Sequence, residues 1–336
     1  MAEGPAGSYA AMWTVQDTAG LTYHGTGLLW FITFLVEWLF VEDYPGPLLL
    51  LFDEPATPLH PSAQRVAAKL LASISPRHQV IYSTHSPFMI DWNFPQRIRL
   101  FTRDHESKRT QIENKPYHPR EGVQHIWDPL RESIGVTLGD VGILGEANVL
   151  VEGVTEQVLL ANASEAFASR GKPHLDLATI SILPYGDASA LGHLIAVARS
   201  RTARVVVLAD ADEQGAKARR FCEREAVACT SVGDFAERTE GDRSVEDVVG
   251  AAVYIAAIND LYARFDWFAP IDGERVQAEL AGKSLGKYFQ VLFEERFQHR
   301  FDKIAVAISI AQRLAELPDA VLLRFQSLIE CINSHF

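Results

Sequence analysis

The sequence predicts an α/β fold around a mostly parallel sheet, and three observations carry that expectation. Short unbroken apolar runs, such as LLLLF at Leu48–Phe52 and VVVLA at Val205–Ala209, read as strands buried on both faces. Segments with helical apolar spacing follow them, so strands and helices alternate in order. Glycine, proline or acidic residues end each run, which is where an α/β sheet presents its functional groups.

Composition narrows the class. The chain has 336 residues and 48% hydrophobic content, enough for one large or two ordinary packed domains. Its 3 cysteines are too few and too scattered for a disulfide framework or a zinc site, as in a reducing, cytoplasmic setting. A net charge of −12 argues against coating nucleic acid by charge alone. The most apolar stretch, LLWFITFLVEWLF, is interrupted by Glu37, short of the ~20 residues of a membrane span, so a buried helix is expected. The N-terminus has no basic start followed by an apolar run, so no signal peptide is expected.

Taken in order, residues 12–23 suggest a short hairpin with a turn near Gly20. A hydrophobic helix follows over Leu28–Phe40. Leu48–Phe52 is a strand, HPSAQRVAAKLLASIS a helix and QVIYSTHSP a second strand, making a parallel crossover unit. Residues 97–113 read as a polar hairpin. These expectations divide the chain into a first domain (1–113), a connector (114–146), a second α/β domain (147–243) and a helical region (244–336). In the second domain ANVLVEG, ATISILPYG and ARVVVLADAD are strands. TEQVLLANASEAFASR, ASALGHLIAVARS and GAKARRFCEREA are the intervening helices.

Two clusters of polar residues stand at strand ends. In the first, Asp53 suits water-mediated Mg²⁺ binding and Glu54 suits polarising a water. His85, one strand later, suits contact with a γ-phosphate. The second is richer in acids. Glu152 ends one strand and Glu156 lies one helical turn on. Asp210 and Asp212 end another strand, where i and i+2 share a face. SVED adds Glu246 and Asp247. Hard cations such as Mg²⁺ and Mn²⁺ take oxygen ligands, and two of them roughly 4 Å apart assist phosphodiester cleavage. Asp187 is either a further ligand or the cap of the next helix.

LLLLFDEP, TPLHP and STHSPFMID resemble the Walker B strand, D-loop and switch-histidine strand of ABC-type ATPase heads. HGTGLLWF resembles their signature segment, which implies that Gly25, Thr26 and Gly27 touch ATP across a dimer. Thr26 stands where that family usually has serine. No G-x-x-x-x-G-K-[ST] string occurs, so the phosphate cradle is expected from elsewhere: a longer protein, a separate chain, or not at all if the lobe is a relic. The second cluster resembles the Toprim fold. An ABC-type head followed by Toprim resembles the OLD (overcoming lysogenisation defect) family of ATP-dependent endonucleases. The resemblance covers roughly residues 20–310. It implies a partial ABC-type ATPase lobe, then a Rossmann-like Toprim domain with a helical C-terminal extension. It also implies a two-metal Mg²⁺ or Mn²⁺ site on Glu152, Glu156, Asp210, Asp212, Glu246 and Asp247. FDKIAVA resembles the late lysine segment of the family, making Lys303 a candidate to stabilise transition-state charge, against its reading as a solvated helix residue.

The expected activity is metal-dependent DNA cleavage regulated by ATP, in phage defence or DNA processing, by a homodimer or higher oligomer. Lys217, Arg219 and Arg220 are candidate DNA phosphate contacts, with Arg199, Arg201 and Arg204 close in sequence. The competing reading is a DNA-binding or ATP-sensing module whose Toprim domain is structural. Strand passage is disfavoured because no nucleophilic tyrosine in a separate DNA-bending domain is visible.

Overall fold

The computed structural model describes residues 10–13, 30–36, 38, 44–104, 108–116, 144–280 and 282–336. They fall into two compact units, one ending at Asp91 and the other beginning at Trp92.

The first unit holds β1 (Ala10–Trp13), β2 (Leu49–Phe52), α1 (Pro61–Ile74) and β3 (Gln79–Tyr82). The strands form one parallel sheet in the order β1-β2-β3. Of the hairpin expected over 12–23, only residues 12 and 13 are described; they end β1, which pairs parallel with β2. The rest of that stretch lies outside the described residues. The hydrophobic helix is described over 30–36, where Trp30 and Phe34 stack with ring centroids 5.2 Å apart. They are buried with Leu50, Leu71, Ile74 and Met89. Pro61 opens α1, where a missing N–H costs nothing. His78 is buried and its Nδ1 accepts the Leu48 N–H at 3.1 Å. Burial, then the nearby Arg77, lowers its pKa, so the ring is neutral.

The second unit contains an antiparallel hairpin, β4 (Leu100–Arg103) and β5 (Thr110–Glu113), and a four-stranded parallel sheet. The sheet is built from β6 (Ala147–Val151), β7 (Ile180–Pro184), β8 (Arg204–Ala209) and β9 (Ala228–Ser231), in the order β7-β6-β8-β9. The connecting helices are α2 (Val154–Ala168), α3 (Ala188–Ser200) and α4 (Glu213–Glu225). The chain leaves β6 for β7 on one side, and β8 then pairs with the other side of β6. The carboxyl ends of β6 and β8 thus flank a topological switch point, the usual place for a ligand crevice.

Residues 92–113 cluster with this second unit rather than with the first-domain span expected for 1–113. Buried polar side chains explain the attachment. Asn93 accepts from Ile182 N at 2.7 Å and donates to Ile180 O at 3.1 Å, giving β7 partners from outside the sheet. The Gln157 amide donates to Trp92 O at 2.7 Å and Ile182 O at 2.6 Å. Arg97 pairs with Glu165 at 2.6 Å.

The C-terminal region is helical, as expected: α5 (Val245–Val249), α6 (Ala251–Tyr262), α7 (Gly273–Glu279), α8 (Leu285–Leu292), α9 (Lys303–Gln312) and α10 (Asp319–Asn333). α9 packs on α2 and α6. Packed aromatic rings brace that arrangement. Phe293 meets Tyr262 and Phe301 at 4.8 Å each, and Tyr254 meets Phe289 at 5.7 Å. Asp302 caps α9 by accepting the Ala305 N–H at 2.9 Å. No helix among the described residues is long and apolar enough to cross a membrane.

Replacing Gln157 with Leu leaves two buried carbonyls without that donor. The expected cost is roughly 2–4 kcal/mol of stability, read as a drop in denaturant midpoint at unchanged m-value.

Candidate metal centre

Glu152 follows β6 directly, and Glu156 lies in the first turn of α2. Glu156 is buried, and its Oε2 accepts the Gly153 N–H at 3.0 Å, closing the turn from strand to helix. Asp210 follows β8. Asp212 caps α4, its Oδ1 accepting the Gly215 N–H at 2.8 Å. Gly215 is required here for space: a Cβ at that position would lie 1.8 Å from Asp210 O. Glu246, in α5, is 1% exposed. A Cβ on Gly286 would come within 3.1 Å of its Oε1, so the start of α8 backs that carboxylate closely.

Three of these acids carry a fully buried oxygen with no hydrogen-bond partner: Glu152 Oε2, Asp210 Oδ1 and Glu246 Oε1. Unpaired buried carboxylate oxygens are costly. A hard divalent cation would satisfy all three, so the donor set fits one. Among the described residues, no three His, Cys, Asp or Glu side chains already stand gathered as a finished ligand set. The fit therefore rests on donor chemistry and unpaired oxygens.

Electrostatics agree with crowding of like charge. Burial is the main cause raising Glu152, with Asp212 next. Glu156 is pushed up to about 7, by burial first and then by Glu246 and Glu152 against the pull of Lys303. Asp210 is raised well above the usual carboxylate range by burial and by Glu156, Glu152 and Glu246. Lys303 faces the same four acids. Burial disfavours its charge, but Glu246, Glu156, Asp210 and Glu152 outweigh that and hold the ammonium protonated. It forms no ion pair within 4.0 Å with a described carboxylate. A cation in the first turn of α9 also opposes the helix dipole. A solvated helix residue would gain nothing from that position.

Other expected residues are placed differently. Both Asp247 oxygens are engaged: Oδ1 by Arg238 Nε and Nη2 at 3.1 and 2.9 Å, Oδ2 by Ser244 N at 3.0 Å and Leu285 N at 3.3 Å. It ties α5 and α8 together. Asp187 caps α3, accepting from Ser189 N at 2.8 Å and Ala190 N at 2.9 Å. Lys217, Arg219 and Arg220 lie on α4, and Lys217 pairs with Glu213 at 2.8 Å. Arg199 pairs with Glu225 at 3.1 Å. Sequence reasoning missed Lys287, which bonds Asp212 Oδ2 at 2.8 Å and Asp242 Oδ2 at 3.3 Å. It also missed buried Tyr185, whose hydroxyl burial and then Glu152 and Asp210 keep protonated. These residues lie dozens of positions from their partners, so no local pattern announces them.

In the first unit, the ends of β2 and β3 bring Asp53, Glu54, Ser83 and His85 together. Ser83 Oγ donates to Asp53 Oδ1 at 2.6 Å, and Glu54 N donates to Ser83 Oγ at 2.9 Å. His85 Nε2 stands 3.6 Å from Glu54 Oε1. Glu54 and Ala56 sit at φ of 46° and 65°, a left-handed turn after the strand built without glycine. Gly25, Thr26 and Gly27 lie outside the described residues.

Residues 13–90 match the AAA ATPase domain family, and residues 143–212 match the TOPRIM domain of the overcoming lysogenization defect protein-like family. The chain thus carries an AAA ATPase segment followed by an OLD-like TOPRIM segment. The OLD nuclease of Thermus scotoductus is 38% identical over 61 residues, 18% of this chain and 12% of that protein. An uncharacterized protein of Methanocaldococcus jannaschii is 30% identical over 118 residues, 34% of this chain and 30% of that one. The chain thus spans less than a third of either relative's length. The C-terminal region of the Burkholderia pseudomallei OLD protein aligns at 15% identity and a TM-score of 0.37, over 56% of this chain and 98% of that one. The OLD-like TOPRIM segment spans the helix caps and strand ends that carry Glu152, Glu156, Asp210 and Asp212.

The raised acids give a pH signature to the metal-free protein. A carboxyl near 7 in the fold and near 4.5 unfolded binds its proton more tightly when folded, so stability falls as pH rises through that window. Asp212 is the opposite case. Burial raises it, but the Gly215 N–H and Lys287 lower it overall, so its contribution is lost only below the ordinary carboxylate range. The melting temperature of metal-free protein is expected to fall by about 5–10 °C between pH 5 and 8. Mn²⁺ should restore it at pH 8 but not at pH 5, and Glu156→Gln should flatten the profile.

Proposed function

We propose that this chain is a divalent-metal-dependent DNA endonuclease of the OLD type, regulated through its ATPase segment and acting in phage defence or DNA processing. The observation that carries the reading is the set of unpaired buried oxygens on Glu152, Asp210 and Glu246, with the Lys303 ammonium held charged beside them. A site that only stabilised the fold would have no reason to leave three carboxylate oxygens without donors.

Mg²⁺ or Mn²⁺ is the proposed ion; when bound it supplies a water of lowered pKa and positive charge for the phosphate. Glu152, Asp210 and Glu246 would hold it. Glu156 fixes the β6–α2 turn and adds negative charge behind the ligands. Lys303 offers a cation whose counter-charges are the ligands themselves, so an incoming phosphate oxygen would be bound in concert with the ion. Arg219 and Arg220 are proposed phosphate contacts, and Lys217 would join them on giving up Glu213. Asp53, Glu54 and His85 are proposed to act on ATP once a phosphate cradle is supplied, and Gly25, Thr26 and Gly27 to cap it from a second copy of the chain.

Plasmid DNA incubated with the purified chain and Mg²⁺ or Mn²⁺, with and without ATP, tests this. Glu152→Gln and Asp210→Asn should each lower cutting by at least about 100-fold, with melting temperatures at pH 8 equal to or above that of the native chain. Unchanged cutting in either variant would assign the activity elsewhere. A chain that binds DNA but never cuts it would support the structural reading of the Toprim domain.

A further inference from the structure

The acids of the second unit divide into two groups with different partners. On one side, Glu152, Asp210 and Glu246 each present an unpaired buried oxygen. On the other, Asp212 presents none: Oδ1 takes the Gly215 N–H and Oδ2 takes Lys287 Nζ at 2.8 Å. The Asp212 side chain is only 7% exposed, whereas Lys287 is 49% and Asp242 43% exposed. The Lys287 ammonium thus bridges two carboxylates, one of them nearly buried, and neutralises negative charge that would otherwise favour a divalent ion at the same oxygens.

Lys287 is also badly placed for any purely helical role. It is the third residue of α8, following the Ser284 cap, where its charge opposes the helix dipole. An exposed ion pair by itself is worth little. What holds the side chain there is the acid pair it bridges, across 75 residues to Asp212 and 45 to Asp242.

We infer that Lys287 fills the second cation position of this site, so that the chain loads one divalent ion, on Glu152, Asp210 and Glu246, and supplies the other positive charge itself. This rests on the metal-dependent reading above and sharpens it. Lys287 acts on Asp212 and the charge balance of the crevice, and is a positioning residue.

Counting Mn²⁺ bound by the full chain at pH 8 without nucleotide, by titration calorimetry and by the electron paramagnetic resonance of free Mn²⁺, decides it. The native chain should bind one Mn²⁺, and Lys287→Arg one. Lys287→Met should bind two, because Asp212 and Asp242 are released. Adding Asp212→Asn to Lys287→Met should return the count to one. Asp212→Asn alone should leave one ion bound, a check independent of whether any Lys287 variant folds. Two ions on the native chain, one ion on folded Lys287→Met, or loss of the ion in Asp212→Asn would each overturn the assignment while leaving the nuclease reading standing. No Mn²⁺ on any form would overturn both.

Discussion

Too many carboxylates share one crevice, and the second unit is organised around that constraint. Burial makes the place hostile to charge, and the acids crowded there, Glu246 among them, further raise the proton affinity of Glu152, Glu156 and Asp210. The fold offsets this with cations. Lys303 faces the inner acids, Lys287 bridges Asp212 and Asp242, and Arg238 takes Asp247. Two of those cations, Lys287 and Lys303, sit in the first turns of helices, where the helix dipole disfavours them. Local preference has yielded to the demands of the crevice, as is common at functional sites.

Backbone topology puts the acids there. The order β7-β6-β8-β9 leaves the ends of β6 and β8 side by side at the switch point, and each strand end leads into a helix start. Carboxylates are welcome at helix N-termini, so Glu156 and Asp212 each satisfy backbone N–H groups while standing at the crevice. Gly215 permits the tightest of these approaches, bringing α4 against the Asp210 backbone. The helical region then closes the site from outside the sheet. α5 contributes Glu246, α8 backs it through Gly286, and α9 carries Lys303.

Much of this was legible in the sequence because strand ends are local events. VLVEG and VVLADAD announce both a buried strand and the acids that terminate it, and β6, β8 and their following helices lie where those strings place them. The parallel sheet followed from unbroken apolar runs alternating with helical spacing. What was not legible is contact between distant segments. Asp247 looks like a ligand beside Glu246, yet its oxygens belong to Arg238, Ser244 and Leu285. Lys287 looks like an ordinary helix residue until Asp212 is found against it. The short strand β9 has too little apolar signal to read, and nothing local in Ala10–Trp13 announces its parallel partner at Leu49–Phe52.

The same electrostatics separate stability from function. Neutralising a raised acid in the metal-free protein removes repulsion and desolvation, so amide variants of Glu152, Glu156 or Asp210 should stabilise the fold while weakening the site. Asp212 behaves oppositely, because its carboxylate is held below the ordinary range by a hydrogen-bond network whose donors would be left unpaired. The direction of a stability change thus sorts the carboxylates by role before any substrate is added. Glu152 and Asp210, each raised and each with an unpaired buried oxygen, are held against their own preference and kept ready for an ion. An acid whose loss destabilises is part of the frame that presents them.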